Sequence, residues 1–261
     1  MSDEREKAIH KLILETENDP DNIALILIGS SATGDAKEYS DIDLDLVVTD
    51  EKFKRISATK GYFFGTWDPD MYYGIEVDGK VVDVGFLEDA VDRGNDAVRY
   101  SFQKAKVLFS KNDKITELVK RIPVYPDDEH FERMKKLYGY VKHFRYIGED
   151  AFNRNNFFHA YHCVMQIVFF AGRTILAHNR KLYPCHKRLL SEVEKCEKVP
   201  ASFVQKSNAL LINMTREGLV EYYEFVADYF KDIEYTDKER IGYILEDEWA
   251  WRSGKLPISE I

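Results

Sequence analysis

The residues best suited to do chemistry lie between 27 and 48. An apolar run over 23–28 ends in Gly29-Ser30-Ser31, and the alternating carboxylates Asp41, Asp43 and Asp45 follow it. An apolar run that ends in small residues reads as a buried strand feeding a tight turn. With no large side chain there, the backbone N–H groups of Ser30 and Ser31 can approach a phosphate closely. A short helix starting at that point adds partial positive charge aimed at the same anion. In the strand that follows, residues two apart share a face, so the three carboxylates point the same way. Like charges on one face repel and raise each other's pKa. A hard divalent cation removes that cost, and Mg2+ is commonly held by one or two carboxylates together with phosphate oxygens. The stretch therefore pairs a phosphate cradle with a metal seat. A strand–turn–strand with an acidic solvent face is the plainer alternative, but aspartate is depleted in strands and three in alternation ask for a reason.

Gly29-Ser30 followed by Ser40-Asp41-Ile42-Asp43 resembles the signature of the polymerase-β-like nucleotidyltransferase superfamily, which includes the aminoglycoside and lincosamide nucleotidyltransferases. The resemblance implies a nucleoside triphosphate, ATP in the first instance, with its phosphates on Gly29, Ser30 and Ser31. It implies two Mg2+ ions, seated on Asp41 and Asp43 and on a third carboxylate from a later strand. Asp83, in Val81-Val82-Asp83-Val84, is the residue expected to supply it, since a carboxylate among β-branched residues is costly unless paired or metal-bound. In-line attack by an acceptor hydroxyl on the α-phosphorus would then transfer the nucleoside monophosphate and release pyrophosphate. A second metal would lower the hydroxyl pKa, or Asp83 or Glu76 would take the proton. Asp45 lies one pleat deeper and is expected to orient a ligand or a basic side chain. Relatives often carry a basic residue within Gly-Ser-x-x-x-Gly; Ala32-Thr33 stand there in this chain, which shifts phosphate charge compensation to the helical domain.

Two features of the second half bear on that chemistry. A basic cluster, Asn179-Arg180-Lys181-Leu182-Tyr183-Pro184-Cys185-His186-Lys187-Arg188, joins two helical patterns. Related two-domain enzymes often place a lysine of the helical domain on the nucleotide phosphates, which implies Lys187 with Arg180 behind it; a solvated basic loop is the alternative. Arg173-x4-His178 is similar to the Arg-x4–6-His pattern of HEPN ribonuclease domains, yet residues five apart diverge by more than a quarter turn on a regular helix. His159, His162 and Cys163 share a helical neighbourhood without a fourth ligand at metal-site spacing.

The positioning elements follow from periodicity. Residues 3–17 have amphipathic helical spacing, Thr49 or Asp50 caps a helix to about 58, and 61–69 is an aromatic, turn-rich segment. Alternation on both sides of Asp78-Gly79 predicts a hairpin turning at those two residues, with Asp83 and Glu76 on one face of the ribbon. Helical patterns cover 87–93, 96–104 and 115–122, with a short strand at 107–109 between the last two. Pro123 and Pro126 mark a domain boundary. The expected architecture is an α/β (α+β) nucleotidyltransferase domain on a small mixed sheet over 1–124, then an all-α helical bundle over 125–261. The almost wholly apolar stretch 164–170 would be the bundle's buried centre, packed by 127–149, 201–213 and 216–233.

Composition narrows the function classes. At 261 residues, 44% hydrophobic and 32% charged, the chain is neither disordered nor membranous. No apolar run approaches membrane-spanning length, the start lacks the apolar core of a signal peptide, and three unpatterned cysteines fit a reducing cytoplasm. A net charge of −9 argues against a broad nucleic-acid surface, which leaves transfer RNA as a minor alternative. The expected partners are an NTP and a small-molecule hydroxyl acceptor, by analogy an aminoglycoside- or lincosamide-like drug. The competing class is a toxin–antitoxin-like or regulatory enzyme acting on a protein or tRNA, or a domain that only binds nucleotide. Homodimer formation stays open.

Overall fold

A computed structural model describes residues 2–37, 40–66, 68–234 and 236–252. Two units emerge, Met1–Val124 and Tyr125–Ile261. In the first, α1 (Asp3–Thr16) precedes β1 (Asn22–Leu27), the short α2 (Gly29–Thr33), β2 (Ile42–Val48), α3 (Asp50–Thr59), β3 (Phe63–Thr66) and β4 (Val77–Val82). Then come α4 (Val84–Arg93), α5 (Asp96–Ser101), β5 (Lys106–Ser110) and α6 (Lys114–Arg121). Side-chain caps set several of these starts: Thr49 accepts from the Lys52 N–H at 3.3 Å, and Asn95 from the Val98 N–H at 3.0 Å.

The five strands form one mixed sheet in the order β3-β4-β2-β1-β5. β1 runs antiparallel to both β2 and β5, β4 runs parallel to β2, and β3 is antiparallel to β4. Helices cover both faces, so the period-2 alternation of each strand sorts its side chains between two cores. Leu25, Leu27, Ile42, Leu44, Leu46, Val77 and Val81 pack with Ala8, Ile9 and Leu12 of α1. Ala24, Ile26, Val47 and Val82 pack on the other face with Leu87, Phe102, Ile115 and Ile122.

Two expectations about this unit are corrected. The segment 61–69 is not all turn, because it contains β3 at the sheet edge. Asp78-Gly79 is not a hairpin loop: both residues lie inside β4, paired to Asp43 and Leu44 on one side and to Gly65 and Phe64 on the other. Gly79 is required by close approach instead of turning, since a Cβ there would stand 2.2 Å from the Phe64 carbonyl oxygen and 2.7 Å from its ring.

The second unit is helical: α7 (His130–Asn153), α8 (Phe157–His178), α9 (Leu189–Glu194), α10 (Phe203–Ile212), α11 (Arg216–Tyr229) and α12 (Asp237–Glu248). α8 is its centre, with Val164, Ile167, Val168, Phe170 and Ile175 all buried among side chains of α7, α9, α10 and α11. Phe170 stacks on Tyr140 and Phe144 of α7 at centroid distances of 4.7 and 5.6 Å. At 22 residues α8 is long and apolar enough to cross a membrane, which corrects the expectation that no segment is; 78% of that apolar window is buried inside the unit.

Candidate active site

Three carboxylates converge at the start of β2 and β4. Ligand oxygens of Asp41, Asp43 and Asp78 all lie within 4.8 Å of one another. Strand pairing causes this: Asp43 and Asp78 are register partners across the parallel β2–β4 ladder, and Asp41 precedes β2 by one residue. The apolar alternates Ile42 and Leu44 are held in the core behind, which fixes the outward face of Asp43.

The turn before them is built around Gly29. The Ile28 N–H donates to the Asp43 carbonyl at 3.0 Å, so β1 delivers the chain directly beside that carboxylate. Gly29 then adopts φ +64°, and a Cβ there would sit 2.2 Å from Asp43 Oδ2. Only glycine serves both the left-handed backbone and the close approach. Ser30 and Ser31 follow in α2, both buried, and α2 closes on Gly34 at φ 85°.

Arg5 holds the connection between α2 and β2. Its guanidinium, only 4% exposed, donates to Ser31 Oγ at 2.8 Å, the Asp41 carbonyl at 2.9 Å, the Ser40 carbonyl at 2.5 Å and the Lys37 carbonyl at 3.4 Å. Burial draws its pKa down, and the Asp41 and Asp43 carboxylates push it back up. Sequence reading missed this residue, because Arg5 sits on a polar-looking first turn of α1 and its partners are remote in the chain.

Asp45 is 2% exposed, and its Oδ1 has no hydrogen-bond partner among the described residues. Burial pushes its carboxyl up to about 6, nearby Lys80 opposes the rise, and Asp43 adds to it. Lys80 is its register partner on β4, so the sheet face reads Asp43 beside Asp78 and, one pleat on, Asp45 beside Lys80.

Asp83 is not brought to this group. It lies five residues beyond Asp78, about 16 Å along an extended strand. Its Oδ1 accepts the Phe86 N–H at 2.7 Å as the N-cap of α4. A carboxylate among β-branched residues finds its partner in a helix end, and the third member of the acidic group is Asp78. Glu76 stands exposed just before β4 and shares the alternation of Asp78; its carbonyl accepts the Ile42 N–H at 2.9 Å.

In the second unit, Lys187 is exposed in a single 3-10 turn, His186–Arg188, and Arg180 pairs with Asp127 through Nε at 2.7 Å. Arg173 is 1% exposed, with its guanidinium 4.8 Å from the centre of the Tyr183 ring and 5.4 Å from that of Phe169. His178 packs edge-on to Tyr229 and Phe230. Both residues of the pair with HEPN spacing thus pack against aromatic rings. Cys163 is buried, which pushes its thiol up to about 11.

The sequence matches the nucleotidyltransferase domain family over residues 8–137, a span that covers the sheet, the acidic group and the first turns of α7. The chain is also similar to the crystal structure of a nucleotidyltransferase-like protein from Exiguobacterium sibiricum 255-15. That likeness has 14% identity over 88% of this chain and 74% of that one, with a TM-score of 0.49. No protein with a curated description matches the sequence. Residues 8–137 form a nucleotidyltransferase domain of the polymerase-β-like superfamily.

Proposed function

We propose that the protein transfers a nucleoside monophosphate, AMP from ATP, to a hydroxyl of a small molecule and releases pyrophosphate. The observation that carries this reading is the convergence of Asp41, Asp43 and Asp78 against Gly29 within a nucleotidyltransferase domain. The donors fit a hard cation: three carboxylate oxygens within 4.8 Å of one another suit Mg2+ and suit soft metals poorly. Bound there, Mg2+ would neutralise phosphate charge and lower the pKa of an acceptor hydroxyl.

The chain's own residues do the rest. Gly29, Ser30 and Ser31 offer a turn with no large side chain, against which the nucleotide phosphates lie. Arg5 fixes that turn to the start of β2, so cradle and carboxylates hold one geometry before substrate arrives. Glu76, exposed two residues before Asp78, would take the acceptor proton. Lys187 and Arg180 remain proposed phosphate contacts on the strength of the resemblance, and Arg180 would have to leave Asp127 to serve. For the acceptor, an aminoglycoside- or lincosamide-like alcohol is the leading class by analogy.

The test is incubation with α-labelled ATP, Mg2+ and separate pools of such drugs, tRNA and cell protein. Label on a drug, lost in Asp43→Asn, supports the proposal. Label on tRNA or protein reassigns the acceptor. Binding of ATP with label on nothing reduces the domain to a nucleotide binder.

A further inference from the structure

We infer that Lys80 is a nucleotide-binding residue, gripping the phosphoryl group that lies over the Asp41–Asp43–Asp78 carboxylates. This rests on the nucleotide-transfer reading above and adds a residue that neither the motif nor the resemblance indicates.

The first observation is positional. On the face of the sheet that carries the acidic group, β2 presents Asp43 and then Asp45, while β4 presents Asp78 and then Lys80. Same-face neighbours on a strand stand about 6.6 Å apart, a gap that the four-carbon stem of lysine spans. On the outer side, β3 pairs Gly65 with Asp78 and Phe63 with Lys80.

The second observation concerns Asp45. Its carboxyl is 2% exposed and has an oxygen without a hydrogen-bond partner, directly across the ladder from Lys80. An ion pair between the two would relieve both groups, and none forms; the exposed Lys80 ammonium has no ion-pair or hydrogen-bond partner among the described residues. A buried acid left unsatisfied beside a free cation is expensive unless the cation has other work. The Gly-Ser turn carries Ala32-Thr33 where a basic residue would balance phosphate charge, and Lys80 supplies that charge from the opposite strand.

The experiment is calorimetric titration of the full-length protein and of Lys80→Ala, Lys80→Arg and Asp43→Asn with ATP, AMP and adenosine, all in Mg2+. A charge-assisted contact to the phosphoryl group next to the sugar predicts that Lys80→Ala weakens ATP and AMP by at least about tenfold. Adenosine affinity should not change, and Lys80→Arg should restore most of the loss. ATP and AMP binding to Lys80→Ala as tightly as to wild type, while Asp43→Asn loses both, overturns the role of Lys80 and leaves the transfer reading intact. A wild-type protein that binds no ATP overturns both.

Discussion

The sheet unit and the helical unit each bury an arginine almost completely, in different surroundings. Arg5, 4% exposed, spends its donors on one hydroxyl and three carbonyls of the loop that carries Asp41. Arg173, 1% exposed, lies against two aromatic faces inside a helix bundle. The first ties charge to a fixed loop geometry beside a candidate catalytic group; the second is held against aromatic rings. Burial of a charge is therefore no guide to function until its partners are named. The same holds for the acids: Asp45 sits unsatisfied next to the site, whereas Asp83, which looks equally costly in sequence, is satisfied by a helix end.

The largest effect that would sharpen this contrast is at the carboxylates. Asp43→Asn or Asp78→Ala should lower the transfer rate by at least about a hundredfold with the fold intact, because the metal seat loses a charged donor. Gly29→Ala should do comparable damage, since its Cβ would overlap Asp43 Oδ2 and its φ is +64°. Labelled-ATP turnover together with far-ultraviolet circular dichroism checks both; a wild-type rate in Asp78→Ala would remove that residue from the site.

Next comes the same substitution in each unit. Arg5→Met should cost about 2–4 kcal/mol, leaving several buried acceptors without donors. Arg173→Met should cost less, since an apolar chain of similar length keeps the contact with both rings. Urea unfolding of the two variants measures the difference, and equal losses would break the contrast.

The pH dependence should carry opposite signs in the two units. Asp45 has a folded pKa of about 6 against an unfolded value of 3.8, so its contribution is complete below about 4 and lost as pH rises through 6. In metal-free buffer, Asp45→Asn should abolish that descent and add at most about 3 kcal/mol at neutral pH. His130, His143 and His178 are held below their usual value of 6.5, mainly by burial. Stability from them is present above 6.5 and falls as pH drops below it. Denaturation series at several pH values, on wild type and on Asp45→Asn, separate the two slopes.

The smallest expected effect tests the reassigned carboxylate. Asp83→Ala should cost about 1 kcal/mol through the lost cap and leave nucleotide transfer at the wild-type rate. A hundredfold loss of activity there would restore Asp83 to the site and displace Asp78.

Much of this was written in local sequence. Alternation and a small-residue turn pointed to Gly29, Ser30, Asp41 and Asp43, which the structure puts in the short α2 after β1, one residue before β2, and on β2, because those relations span few residues and follow from a period of two. The apolar stretch 164–170 likewise announced the buried centre of the helical unit. What local signals could not decide was which carboxylate completes the group. Asp78-Gly79 carries a strong turn signal, and it is overruled by parallel pairing with β2, a contact between segments 35 residues apart. Arg5 reaches its partners 26 to 36 residues downstream. Periodicity tells each strand which face it shows, but the register between non-adjacent strands is set by how two cores fill, and that choice put Asp78 beside Asp43, with Lys80 one pleat on, and Asp83 at a helix end.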